Sequence, residues 1–311
     1  MFDTVNLWID RDNISSGKPF DILPCLSEVT EKQNESGYSC TGKVLDYTVS
    51  VFDRGISLKG SLCKSFFCDN VHTLTRQATG QAIEKVGDFL HTDINDAKVT
   101  RLDISTVIPT KRPPSDYYAY LGQKPYFERL QATKDTLYYN DKKRCHCLQI
   151  AFYDKADEAN AKGMQIPDAW KNSYLFRYEL RYLKGLSKQL NTNLTAAKLY
   201  DTEFYRSVIQ RWYNEFKTIQ KLKVHSFMTN DIKSRKGAKE AFFAYLLQEA
   251  GQAAIDEFLS DLKAQKTFNS RSDYTKLKDD LNKMLVFKNG NKSDMIKELE
   301  TTIFDIAKYA R

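Results

Sequence analysis

Three short segments of the chain place charges where an ordinary sheet core would not accept them. In VTRLDIS, Arg101, Asp103 and Ser105 alternate with the apolar Leu102 and Ile104. In LQIAFYDKADE, Tyr153 alternates with Leu148, Ile150 and Phe152, and Lys155 follows two residues on. In YLFRYELRY, Arg177, Glu179 and Arg181 alternate with Phe176, Tyr178 and Leu180. A period of two marks a strand and sends each polar set to one face. If the three strands share an antiparallel sheet with a helix behind it, the polar faces converge on the uncovered side.

Such a set suits cleavage of a phosphodiester by a tyrosine. Carboxylate oxygens suit Mg²⁺ or Mn²⁺, which would polarise the phosphoryl group. A free phenol has a pKa near ~10, so attack needs a base or nearby positive charge, which Lys155 and the metal could supply. Arginines grip neighbouring phosphates. The same spacing also fits a solvated sheet face with cross-strand ion pairs, Arg101–Glu179 or Asp103–Arg177. Spacing alone favours that plainer reading.

The elements that must position these residues follow from the pattern. Phe2 to Asp10 reads as a first strand, with Asp3 on the side of Val5 and Leu7. Residues 11–40 are rich in turn formers and read as loop. Lys43 to Phe52 and Gly55 to Gly60 read as a hairpin turning at Asp53-Arg54. Gly60 to Asn70 continues it and carries Lys64. Leu74 to Leu90 has helical spacing, with Thr73 as cap. The strand at Lys98–Thr106 should end at prolines 109, 113 and 114. Asp116 to Gly122 reads as a short helix, and Tyr126 to Tyr139 as a strand or two. Residues 156–163 read as a short helix, and Tyr174 to Tyr182 as the last strand.

From Thr195 onward the pattern is helical, over Ala196–Gln220, Lys236–Ala264 with a break near Gly251, Leu277–Val286 and Met295–Tyr309. The expected class is α+β: an antiparallel sheet with packed helices over residues 1–190, then an all-helical region over 191–311. Seven basic residues between Lys217 and Lys239 make a plausible duplex-binding joint or an exposed linker. A helix-turn-helix around Gly251 is a further reading, on spacing that is not diagnostic.

Composition narrows the classes. The chain is 41% hydrophobic and 28% charged, enough for a packed core. A net charge of +7 with 18 Tyr and 18 Phe suits a polyanionic partner and single-stranded nucleic acid, though most of the aromatics must fill the core. No apolar run is long enough to span a membrane. The opening MFDTVNLWID lacks the charged and apolar regions of a signal peptide. The expected compartment is therefore the cytoplasm, where the six Cys would be thiols. Cys63 with Cys68, or Cys145, His146 and Cys147, fit no zinc spacing. No HExxH, GxSxG, GxxxxGK[ST] or GxGxxG occurs, so no nucleotide cofactor is expected.

Six segments in order, FDTVNLWI, GISLKGSLCKSFFCDN, VTRLDIS, TLYYN, IAFYDKADE and LFRYELRYLKGL, resemble the replication initiators of the filamentous-phage gene II/X type, with distant similarity to plasmid Rep_trans initiators. The resemblance runs over about residues 1–222. It implies a rolling-circle initiator that nicks one strand at an origin and stays joined to the 5′ phosphate through tyrosine. The family's nucleophile falls on Tyr153 and its lysine on Lys155. Its metal ligands fall on Asp103 and Glu179, with Asp3 a weaker third. Arg101, Arg177, Arg181 and Lys64 would bind DNA. The paired histidines of HUH nucleases are absent. With one tyrosine in the motif, strand closing would need water, a second subunit, or another tyrosine such as Tyr138 or Tyr139. Origin duplex, single strand, a host helicase and polymerase, and a second copy of the chain are the partners to expect, and a membrane is not. The rival readings are a non-catalytic DNA-binding initiator and a relaxase-like mobilisation protein.

Overall fold

A computed structural model describes residues 1–310 except 15, 35–36, 143–146, 225–233 and 286–290. Cys145, His146 and Lys233, which the sequence singled out, lie outside the described residues. The fold is α+β. The strands are β1 (Phe2–Asp10), β2 (Ser27–Asn34), β3 (Gly37–Val44), β4 (Tyr47–Phe52), β5 (Gly55–Gly60), β6 (Lys98–Thr110), β7 (Phe127–Thr133), β8 (Thr136–Asp141), β9 (Leu148–Asp154) and β10 (Tyr174–Tyr182). They form one sheet in the order β2-β3-β4-β5-β1-β6-β10-β9-β8-β7. Every neighbouring pair is antiparallel. The three charged segments are therefore consecutive strands, β6, β10 and β9.

One face of this sheet is apolar and covered by helices. These are α2 (Arg76–Leu90), α6 (Thr202–Lys217) and α9 (Asp294–Tyr309). Phe204, Val208, Trp212 and Phe216 recur every four residues on α6 and join the core. The Tyr178 ring of β10 stacks on Trp212 at 4.6 Å, and its hydroxyl donates to the Trp212 carbonyl at 2.7 Å. That bond satisfies a polar tip which the packing would otherwise strand. Ile296, Leu299 and Ile303 of α9 belong to the same core, so the core continues past residue 190. The opposite face carries the charges. Its end is closed by a small apolar cluster of Val71, Val107 and Leu175, against which Ala156, Ile166 and Trp170 pack.

The remaining helices are α1 (Leu62–Phe67), α3 (Pro114–Tyr118), α4 (Lys155–Ala161), α5 (Leu186–Leu190), α7 (Arg235–Ala264) and α8 (Arg271–Leu285). Gly251 breaks α7 at φ 77°, ψ 173°, at the expected place. A two-stranded ribbon of Lys223–Val224 with Asn291–Lys292 ties this region together.

Several expectations are corrected. Residues 11–40 are not loop, since β2 and β3 lie there. SEVTEKQN of β2 is an edge strand exposed along its length, so no apolar alternation betrays it. The strand read at 43–52 is two, split by a turn at Leu45, whose φ is 50°. Gly60–Asn70 turns into helix α1 because the Ser61 hydroxyl accepts from the Lys64 amide at 3.1 Å. Helix α2 is capped by Thr75, not Thr73, and Thr73 instead pairs with Thr106. β6 runs through Pro109, which sits opposite Leu175 with its side chain in solvent. Cys25, Cys40, Cys63 and Cys68 are free thiols, whereas Cys147 is disulfide-bonded. No helix among the described residues is long and apolar enough to cross a membrane.

Candidate active site

The register of three strands assembles the site. Arg177 of β10 faces Tyr153 of β9, and Arg181 faces Asp103 of β6. Glu179 lies opposite Ala151 on one side and Ser105 on the other. The small Ala151 and Ser105 leave room for the long side chains around Glu179. The cross-strand pairs Arg101–Glu179 and Asp103–Arg177 do not form, because the register offsets those residues. Instead Arg101 grips Asp103 two residues along its own strand, at 3.1 and 2.7 Å. Glu179 is held from both sides on its own strand, by Arg177 at 3.0 Å and Arg181 at 2.6 Å.

The Tyr153 hydroxyl donates to Glu179 Oε1 at 2.7 Å. Burial, with the Glu179 charge next, holds this phenol well above its ordinary value. Burial alone would raise the Glu179 carboxyl too. Arg177 and Arg181 outweigh it and bring the group down to about 2. At Asp103 desolvation, with the Glu179 charge, outweighs Arg101 and Arg181, and the group rises to about 6.

Asp3 joins this group through a fault in the ladder. Phe2 pairs with Ile104 and Val5 with Leu102, so three steps on β1 match two on β6. The extra residue is a β-bulge. It returns Val5 to the apolar face of Phe2 and leaves Asp3 on the charged face. The side expected from simple alternation was therefore wrong. Asp3 Oδ2 accepts from Arg177 Nη2 at 2.5 Å and from Asn70 at 3.2 Å, and Oδ1 accepts from Ser61 at 2.5 Å. Arg177 also donates to Ser105 at 2.7 Å and to the Asn70 carbonyl. With 2% of its surface exposed, it is an internal brace between Asp3 and Glu179 and not a DNA-facing residue. That corrects its expected role.

Lys155 is also displaced from expectation. The strand stops at Asp154, whose carboxylate accepts from the amides of Ala156 and Asp157 and starts α4. Lys155 thus turns away from Tyr153 and is fully buried, its ammonium donating to Asn70 Oδ1 at 2.6 Å and to Glu158. Burial first, then the Arg177 charge, lowers its proton affinity. Lys155 braces Asn70, which in turn holds Asp3 and Arg177.

These groups open into a cleft of about 610 Å³, lined by Asp3, Asp103, Tyr153, Glu179, Arg101, Arg181 and Lys64 among others. The structure thus brings together seven of the nine expected site residues and sets Lys155 and Arg177 behind the wall. Sequence reading missed Ser61, Asn70 and Ser105 as supports. Ser105 has the right parity, whereas Asn70 sits in a loop with no periodic signal. It also missed the acidic rim of Asp46, Asp135, Asp154, Asp157 and Glu158. Tyr138 lines the cleft too, with the Arg181 guanidinium 5.9 Å above its ring. Tyr139 faces the core and is buried.

A search of curated proteins finds no match. Among solved structures, the rolling circle replication initiator protein from Geobacillus stearothermophilus matches 78% of this chain and 95% of its own, at 12% identity and a TM-score of 0.39. The family described as the N-terminal region of the gene II replication-associated protein matches residues 1–203 of the 311. With the sheet and its charged cleft lying within that span, the chain belongs to this family of replication-associated proteins.

Proposed function

We propose that the chain is a rolling-circle replication initiator that nicks and rejoins one DNA strand at an origin through a phosphotyrosine at Tyr153. The observation that carries the reading is the position of Tyr153, whose phenol is fixed by Glu179 at the wall of an open cleft also lined by Arg101, Arg181 and Lys64. A solvated face with decorative ion pairs would not bury Glu179 and Arg177 to this degree. In the proposed reaction the Tyr153 oxygen gives up its proton and bonds to phosphorus, the P–O3′ bond breaks, and the 3′ oxygen takes up a proton to leave as the hydroxyl that primes synthesis. Rejoining reverses the step. Arg101 and Arg181 steady the flanking phosphates, and Lys64 adds charge at the rim.

The cleft wall bears on the metal. Eight carboxylates line it, Asp3, Asp46, Asp103, Asp135, Asp154, Asp157, Glu158 and Glu179, against the four cations Lys64, Arg101, Lys162 and Arg181. A phosphodiester entering such a cleft needs added positive charge, and the all-oxygen donor set suits Mg²⁺ or Mn²⁺. Asp103 and Glu179 are the residues that would hold the ion. Among the described residues no three of His, Cys, Asp and Glu form a ligand group. When bound, the ion would stabilise charge on the leaving oxygen. Asp3 is left out of this set because its charge partner Arg177 is buried, whereas Glu179 Oε2 is held by Arg181, which itself lines the cleft.

The test is a covalent-adduct assay on an origin oligonucleotide. Tyr153→Phe should abolish the adduct while leaving the protein folded and DNA bound. An adduct that survives in Tyr153→Phe removes this residue from the reaction.

A further inference from the structure

A second groove of about 1040 Å³ lies away from the charged cleft, between the loop leading into β7 and the α7–α8 pair. Leu222, Ile255 and Leu259 pack with Leu277 and Leu281 to hold that pair together. The lining carries the cations Lys124, Arg129, Lys142, Lys263, Arg271, Lys278 and Lys283 against Glu128, Asp256 and Asp279. Its charge is thus opposite in sign to the first cleft. Tyr126 stands at its mouth, 85% exposed, in a left-handed backbone conformation at φ 65°. It is the third residue of a turn, after Pro125, that the Phe127 amide closes on the Lys124 carbonyl at 3.2 Å, which turns its ring outward.

The wall of the groove is braced from behind by Arg129. Arg129 is 4% exposed, and two of its nitrogens donate to the carbonyls of Leu121 and Tyr118. The third, Nη1, is paired with the Asp256 carboxylate at 4.0 Å. Cations beside an exposed aromatic ring are the pattern by which single strands are held, phosphates on the cations and bases on the ring.

We propose that this groove holds single-stranded DNA, with Tyr126 stacking a base and Lys263 and Arg271 contacting phosphates. The proposal deepens the initiator reading by naming where a strand runs beyond the cleft. It is tested by binding alone, in EDTA, so its outcome is separate from whether Tyr153 forms an adduct. Fluorescence anisotropy with labelled oligo(dT) and the full chain should show Tyr126→Ala weakening binding about tenfold, within the stacking range. Tyr126→Phe keeps the ring and should bind as the wild type does. Lys263→Gln/Arg271→Gln should lower the slope of log K against log salt by about 1.4. Lys32→Gln/Lys59→Gln, on exposed positions of β2 and β5, serves as the matched control and should leave the slope unchanged. Unchanged affinity in Tyr126→Ala, equal losses in the control, or losses confined to a duplex probe would overturn the assignment.

Discussion

The brace at Arg177 gives the sharpest test of how the site is built. Its guanidinium is buried and bonded to Asp3, Glu179, Ser105 and the Asn70 carbonyl. Arg177→Met keeps much of the side-chain volume and removes all four bonds. Glu179 retains Arg181 and Tyr153. Asp3 retains only the neutral donors Ser61 and Asn70. Removing one partner of a buried ion pair typically costs ~3–5 kcal/mol, mostly as the penalty on the abandoned charge. Asp3→Asn removes that charge, so the double variant Arg177→Met/Asp3→Asn should recover about 1–3 kcal/mol of the loss. Urea denaturation of the four proteins measures the coupling, with equal m-values required for the comparison. The reasoning fails if Arg177→Met costs less than about 1 kcal/mol, the low end of any buried hydrogen-bonded charge. It fails equally if the double variant shows no coupling, because the bulge in β1 is what brings Asp3 to Arg177.

Two further outcomes follow. If Asp103 holds the ion and Asp3 does not, Asp103→Asn should weaken Mn²⁺ binding, read by electron paramagnetic resonance, by at least about tenfold, and Asp3→Asn should leave it unchanged; equal effects would restore Asp3 as a ligand. Lys221 lies outside this cleft with its ammonium on the carbonyls of Phe216 and Ile219, and burial lowers its pKa from 10.5 to about 7. The folded state therefore binds fewer protons than the unfolded chain between pH 7 and 10.5, so this group makes stability rise with pH across that window and costs most below pH 7. Lys221→Met should flatten that rise in melts taken from pH 6 to 10, and an unchanged slope would show that the lysine is not the cause.

What the sequence disclosed and what it hid have physical causes. Tyr153, Asp103 and Glu179 were legible because their strands are regular and a period of two survives as far as each residue. Asp3 was hidden by one inserted residue, which reverses every side downstream of it. Lys155 was hidden by Asp154, since a residue at the end of a strand that also caps a helix redirects all that follows. The role of Arg177 was hidden differently. Its face was right, but the depth of that face depends on Asn70 and Ser61, which reach it from a loop and a helix start with no pattern to announce them. The edge strand β2 was missed because both of its faces meet solvent, so burial wrote no alternation into it.

The same geometry limits what Glu179 can do for Tyr153. The hydrogen bond between them suggests a general base, but the proton affinities argue against it. Burial and the neighbouring carboxylates hold the Tyr153 phenol above its ordinary value, while Arg177 and Arg181 hold Glu179 below its own. Both shifts oppose transfer of the phenol proton to this carboxylate. Glu179 is therefore an orienting acceptor in the resting site. The two arginines that depress it are not alike. Arg177 is locked inside, whereas Arg181 lines the cleft and shares its guanidinium with Glu179, Gln149 and the face of Tyr138. A phosphate that drew Arg181 away would leave Glu179 with one cation and raise its proton affinity, narrowing the gap as the strand arrives. Under the proposed function, burial first and Glu179 next would keep Tyr153 protonated until a substrate phosphate rearranged the charges around it.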